Sequence, residues 1–165
     1  MVLTNCASTG LEAYVPSEST PWDAARVQHL FRRIGFGARP DDIERALTDG
    51  PTATINRLLE EAVARPQRPA PEGAYWNYDQ FVAADQDGFA AYIDWTKGYV
   101  QEAVDYGVRE KLSLFWQNHF VAKYEAHSCA SYHYQYLKVI EDFAFGDFKV
   151  FTREMTVTPA MLFFL

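Results

Sequence analysis

The stretch "REKLSLFWQNHF" (109–120) decides how this sequence folds. Wound as a helix, it places Leu112, Phe115, Trp116 and His119 at the i, i+3, i+4 and i+7 positions of one apolar face. Arg109, Glu110 and Lys111 then form a charged first turn, and the apolar stripe has to be buried against other helices. His119 stands where a leucine would serve. Such a residue either does chemistry or is a core histidine whose ring donates to a backbone carbonyl; the structural alternative is the one expected.

Helical patterning extends on both sides of this stretch, from about Phe89 to Tyr124, with breaks expected near Gly98 and Gly107. A further helix is predicted over 131–143, where Tyr132, Tyr136, Val139, Ile140 and Phe143 form the buried stripe and Gly146 marks the end. Residues 148–154 read as a short helical turn. Pro159 can start a last helix with Thr158 as its cap. That helix opens into Met161, Leu162, Phe163, Phe164 and Leu165 with nothing polar after them, which predicts that the chain is the front part of a longer helical protein.

Toward the amino terminus, "TPWDAARVQHLFRRIGFG" (20–37) predicts a helix with Thr20 as N-cap, Pro21 in the first turn and Asp23 as the capping acid. Val27, Leu30, Phe31 and Ile34 form its stripe, and Gly35 and Gly37 stop it by taking a left-handed turn. Pro40 opens a second helix that ends at Gly50, and Pro51 a third that buries Ile55, Leu58, Leu59 and Val63. "RPQRPAPEG" (65–73) then breaks the pattern, because Pro66, Pro69 and Pro71 exclude a helix. The expected organisation is an extended leader (1–19), a small helical subdomain (20–64), a proline-rich connector (65–74) and a helical core (75–165). The fold class is all-α, an irregular multi-helix assembly.

The chain has 165 residues, 48% of them hydrophobic and 16% aromatic, enough to bury a real core. A net charge of −7 argues against nucleic acid as a partner, since phosphate neutralisation needs clustered cations. Arg26, Arg32, Arg33 and Arg39 are close in sequence, but no phosphate-cradling loop accompanies them and they read as a solvated face. No apolar run reaches the roughly 18 residues a membrane span takes. Two cysteines, Cys6 and Cys129, make no disulfide framework, and no secretory signal is visible before Cys6, so the compartment is left open.

Histidine supplies the first chemical candidates: His29, His119, His127 and His133. His119, His127 and His133, with Cys129 among them, are close enough in sequence to consider as metal ligands, although they match no zinc spacing. His29 reads as a partly exposed helix residue. Glu110, Glu125, Glu141 and Asp142 are candidate acid–base groups if buried, and otherwise ordinary helix-surface acids. No nucleophile elbow is present, and the "GFG" turn follows no strand, so it is no dinucleotide loop.

Three stretches together resemble the amino-terminal part of a bacterial family known as domain of unknown function 1800. "RVQHLFRRIGFGARPDDIERAL" (26–47) is similar to its opening helix, glycine turn and second helix. "REKLSLFWQNHF" is similar to its Arg-Glu-Lys and Phe-Trp-His-Asn-His-Phe signature, and "YLKVIEDFAFGDFKVFTREMTVTPAML" (136–162) to its Pro-Ala-Met-Leu segment. The resemblance implies a mainly helical protein of several hundred residues whose next signature follows Pro-Ala-Met-Leu, and it implies no particular reaction. Gln117 replaces the first histidine of the signature, and glutamine neither shuttles protons nor readily ligates transition metals. Asn118 and His119 are then the pair expected at any catalytic site, supported by Arg109 and Glu110. The expected role is binding, assembly or structure, with the rest of the fold or another protein as partner. The alternative is part of a metal-assisted hydrolytic or oxidative enzyme, with His119 and carboxylates in a cleft. No cofactor is specified.

Overall fold

A computed structural model describes residues 13–165, and every described element is helical. The first unit is α1 (Ala24–Ile34), α2 (Pro40–Asp49) and α3 (Pro51–Ala64), joined by short turns. Val27, Phe31, Ala46 and Leu58 close its core, with Trp22, Ile34 and Ile43 packed around them. Trp22 is held there by its indole N–H, which donates to the Ala46 carbonyl at 2.8 Å. Cys6 and the first twelve residues of the expected leader lie outside the described residues, and Cys129 makes no disulfide among the described residues.

Several local expectations are corrected. The cap of α1 is Asp23, whose carboxylate accepts from the Arg26 N–H at 2.9 Å; Thr20 and Pro21 precede the helix. The Thr20 hydroxyl is instead engaged with that of Ser17 at 2.7 Å, and the charged carboxylate is the better partner for the positive helix end. Gly35 ends α1 in extended backbone (φ −143°), so no left-handed turn demands glycine there. Space does: a Cβ would lie 3.1 Å from the Phe31 carbonyl and 3.8 Å from the backbone of Gly107. On α3 the buried residues are Thr54, Leu58 and Ala62, whereas Leu59 and Val63 are 42% and 61% exposed. The helix is rotated so that Leu58 meets Val27 and Phe31, leaving the bulkier pair outside.

Beyond the connector come α4 (Tyr78–Ala83), α5 (Gly88–Tyr106), α6 (Val108–His119), the single turn α7 (Tyr124–His127) and α8 (Ala130–Phe143). Sequence periodicity had not isolated α4 or α7. Asn77 and Gln80 cap α4 reciprocally, each side chain accepting the other's backbone N–H at 2.9 Å. α5 runs through Gly98 without a break and stops at Gly107, where φ is +52° and ψ −73°. Gly107→Ala should cost about 1–2 kcal/mol, because the backbone conformation, not crowding, selects glycine here. Equal urea midpoints for the two proteins would refute this.

α9 (Phe148–Thr156) and α10 (Pro159–Phe164) fold back on α8. Tyr136, Ile140, Phe151, Met155, Ala160 and Met161 form the second core, with Trp116, Phe120, Tyr132, Val139 and Phe143 against it, as the stripe on α8 predicted. Thr158 precedes α10, but its hydroxyl donates backward to the Met155 carbonyl at 2.9 Å and does not cap the helix.

α6 is where sequence and structure part most sharply. Its buried residues are Glu110 and Ser113, while Phe115 is 57% exposed and His119 faces solvent. Trp116 alone of the expected stripe reaches the second core: its ring meets Phe151 edge-on and its N–H donates to the Ala144 carbonyl at 3.0 Å. The inward face of α6 is polar because arginines from the connector arrive there. The two apolar cores are thus joined across a layer of charge.

Candidate functional site: a buried arginine–glutamate layer

The connector is no spacer. Pro66 and Pro69 fix the backbone beside Arg65 and Arg68, and both arginines turn inward between α5, α6 and α8. Arg65 Nη1 donates to Glu110 Oε1 at 2.9 Å, and its Nη2 pairs with Glu102. Its guanidinium also lies 3.4 Å from the centroid of the Tyr106 ring. Arg68 Nε stands 3.1 Å from the other Glu102 oxygen, and Arg68 Nη2 pairs with Glu141.

Arg109 supplies a different link. Its Nη1 donates to the Arg65 carbonyl at 2.8 Å and its Nη2 to the Glu141 carbonyl at 3.2 Å. These carbonyls lie just past α3 and in the last turn of α8, so one planar fork satisfies acceptors at two helix ends. The negative ends of both helix dipoles favour a cation there.

The layer is driest at Glu110 and opens toward solvent at Arg68, whose side chain is 32% exposed. Side-chain exposure is 3% at Glu110 and 13% at both Arg65 and Glu141. Burial raises the Glu110 carboxyl above its usual range, and the nearby Glu141 adds to this, while Arg65 and Arg68 oppose it. Burial pulls Arg68 down, but Glu141, Glu102 and Glu110 outweigh it and the guanidinium is held charged. Tyr99, whose hydroxyl donates to the Glu110 carbonyl at 3.3 Å, is raised by burial and then by Glu110. Glu110 Oε2, Ser113 Oγ and Gln117 Nε2 lie along the inner face of α6 without a hydrogen-bond partner among the described residues. The crevice bounded by the layer measures about 10 Å³, close to the space of one water.

Of the four residues expected at a catalytic site, Arg109 and Glu110 belong to this layer, and Asn118 and His119 do not. Asn118 is exposed and bonds back to the Leu114 carbonyl at 3.1 Å. The expected burial of His119 is corrected: its ring is exposed and sits edge-on to Trp116 and Phe120, with centroids 5.8 and 4.7 Å away. Gln117, set aside in the sequence as a lost histidine, is the residue of the signature that turns inward with Glu110. Glu141 also joins the layer, while Asp142 is exposed and pairs with Lys138. Arg65, Arg68, Glu102 and Tyr99 went unrecognised; the available signal was two arginines each followed by proline.

The histidines considered for metal divide into two groups. His127 and His133 meet at 5.9 Å between ring centroids, enclosed by Tyr92, Tyr124 and Tyr136, whereas His119 packs beside Phe148. The Cys129 N–H donates to His127 Nδ1 at 3.1 Å, which places the proton of the neutral ring on Nε2 and leaves no lone pair there for a metal. Burial lowers His127, and burial with His127 nearby lowers His133 to about 4. Among the described residues, no group of three or more His, Cys, Asp or Glu side chains is arranged to hold a metal ion.

Fold and site together define an all-helical protein organised around a buried ionic layer, in which no described helix is long and apolar enough to cross a membrane. The chain belongs to the family described as "Protein of unknown function (DUF1800)", which matches residues 29–165. No curated protein and no solved structure matches it.

Proposed function

We propose that this chain is a binding and assembly module in which the polar signature fixes helix packing. One observation carries the proposal: Arg109 and Glu110 of the signature are taken up in helix-packing contacts with groups from the connector and from α8. Arg65 engages Glu102 and Glu110, Arg68 engages Glu102 and Glu141, and Arg109 engages two backbone carbonyls, in a crevice too small for a substrate.

The competing role, a metal-assisted enzyme centred on His119, is separated from this one by elemental mass spectrometry of the purified protein and of His119→Ala. Binding and assembly predict no stoichiometric metal in either, and a stability change within about 0.5 kcal/mol, as expected for an exposed ring. A stoichiometric metal that disappears in His119→Ala would overturn the proposal.

A further inference from the structure

A cavity of about 560 Å³ opens on the other side of Arg65 and Arg109 from the ionic layer. Its walls are the turn after α1, one face of α3 and the corner between α5 and α6. It falls within the roughly 300–1,000 Å³ of ordinary small-molecule sites. Two stretches that stand out in the sequence meet at it: "GFGAR" (35–39) and the Gly107 corner that leads into "REKL". Gly35 and Gly107 come together there in ordinary van der Waals contact, a Cβ on Gly107 lying 3.9 Å from the Gly35 Cα.

The charge around this cavity runs against that of the chain. In a protein of net charge −7, four arginines line it (Arg39, Arg57, Arg65 and Arg109), against three carboxylates, Asp42, Glu61 and Asp105. Lys111 adds a further cation, its Nζ 5.0 Å from the centroid of the Phe36 ring. Most of these groups are committed. Arg65 and Arg109 face the ionic layer, Arg57 pairs with Glu61 and Asp49 while its Nη2 is buried without a hydrogen-bond partner among the described residues, and Asp42 accepts the Arg39 backbone N–H at 3.0 Å. The Arg39 guanidinium is different: its hydrogen bond among the described residues is one at 3.5 Å, to the Asp105 carbonyl. It is exposed, and Phe36 and Tyr106, which line the same cavity, are themselves 45% and 56% exposed.

We propose that this cavity binds a small oxyanion with a flat apolar body, a carboxylate or phosphate whose charged group is held by the Arg39 fork and whose body lies against Phe36 and Tyr106. A guanidinium with free donors matches a carboxylate or phosphate in two-point geometry, and aromatic side chains supply the apolar contact. This names a ligand class for the binding role proposed above.

The test is titration with phenylphosphate, benzoate and inorganic phosphate, followed by the backbone amide signals of Gly37 and Gly107. Phenylphosphate or benzoate should shift both signals saturably, and whichever binds more tightly identifies phosphate or carboxylate as the natural group. Inorganic phosphate should bind at least tenfold more weakly for lack of an apolar body. Arg39→Gln should weaken binding at least tenfold with an unchanged melting temperature, because its side chain is exposed and its backbone N–H is retained. Absence of saturable shifts, equal binding by Arg39→Gln, or equal affinity for inorganic phosphate would each overturn the site. Those failures differ from that of the binding role itself, which the metal analysis with His119→Ala addresses.

Discussion

Arg65→Met should lower the stability of this protein by about 3–5 kcal/mol at pH 7, the cost of leaving a buried charge without its partner. Glu110 is the charge in question, with a side chain 3% exposed and a carboxylate oxygen 2.9 Å from the Arg65 guanidinium. Methionine fills similar volume but offers Glu110 and Glu102 no donor. Glu110 then escapes mainly by taking up a proton, which its burial already favours, so the loss should shrink as the pH is lowered toward 4.5. Arg65→Met combined with Glu110→Met should recover most of the stability, because an apolar pair replaces an ionic pair and Glu102, though it loses Arg65, keeps Arg68. Urea midpoints of the parent, both single variants and the double variant measure the coupling directly. An additive cycle, or a loss below about 1 kcal/mol in Arg65→Met, would show that the layer does not hold the helices together.

Acidification should act through a different pair. An unfolded histidine takes up its proton near pH 6.5, whereas folded His133 does so only near 4. Between those values the unfolded chain holds more protons than the folded one, so stability falls as the pH falls. It is intact above about 6.5, and the loss is nearly complete at 4, where this gap corresponds to about 3 kcal/mol. His127, also lowered by burial, contributes in the same direction. Glu110 contributes in the opposite direction, since a carboxyl raised in the folded state favours folding on acidification. The two are separated by His133→Phe, which keeps a ring against Tyr92 and Tyr124 and removes the titrating group. Its urea midpoint should decline less between pH 6.5 and 4 than that of the parent. Parallel declines in the two proteins would dismiss His133 as the cause.

Much of the fold was legible because helix ends carry local chemistry. Pro40, Pro51 and Pro159 open the helices they were expected to open, and the stripe on α8 faces the second core. What local pattern could not supply was the direction of a face whose partner is remote. Along α6 the sequence offers an apolar row and a polar row, and burial normally follows the apolar one. Here Arg65, 45 positions earlier in the chain, claims the polar row for Glu110, and Phe115 is left in solvent. The same remoteness hid the site. Arg65 and Arg68 sit in a segment whose prolines suggest a plain connector, and only the folded chain brings them to Glu102, Glu110 and Glu141. For the same reason His119 gained importance in the sequence that its position at the end of an outward-facing row does not support.

An ionic layer between two apolar cores also divides the response of this protein to heat. Hydrophobic burial strengthens from cold to warm and then levels off, while the hydration that charged groups give up becomes less favourable to keep as temperature rises. On warming, a growing share of the cohesion therefore passes from the cores around Phe31 and Phe151 to the guanidinium–carboxylate contacts between them. On cooling the cores weaken first, and the charged layer becomes the costlier part of the interior to keep dry.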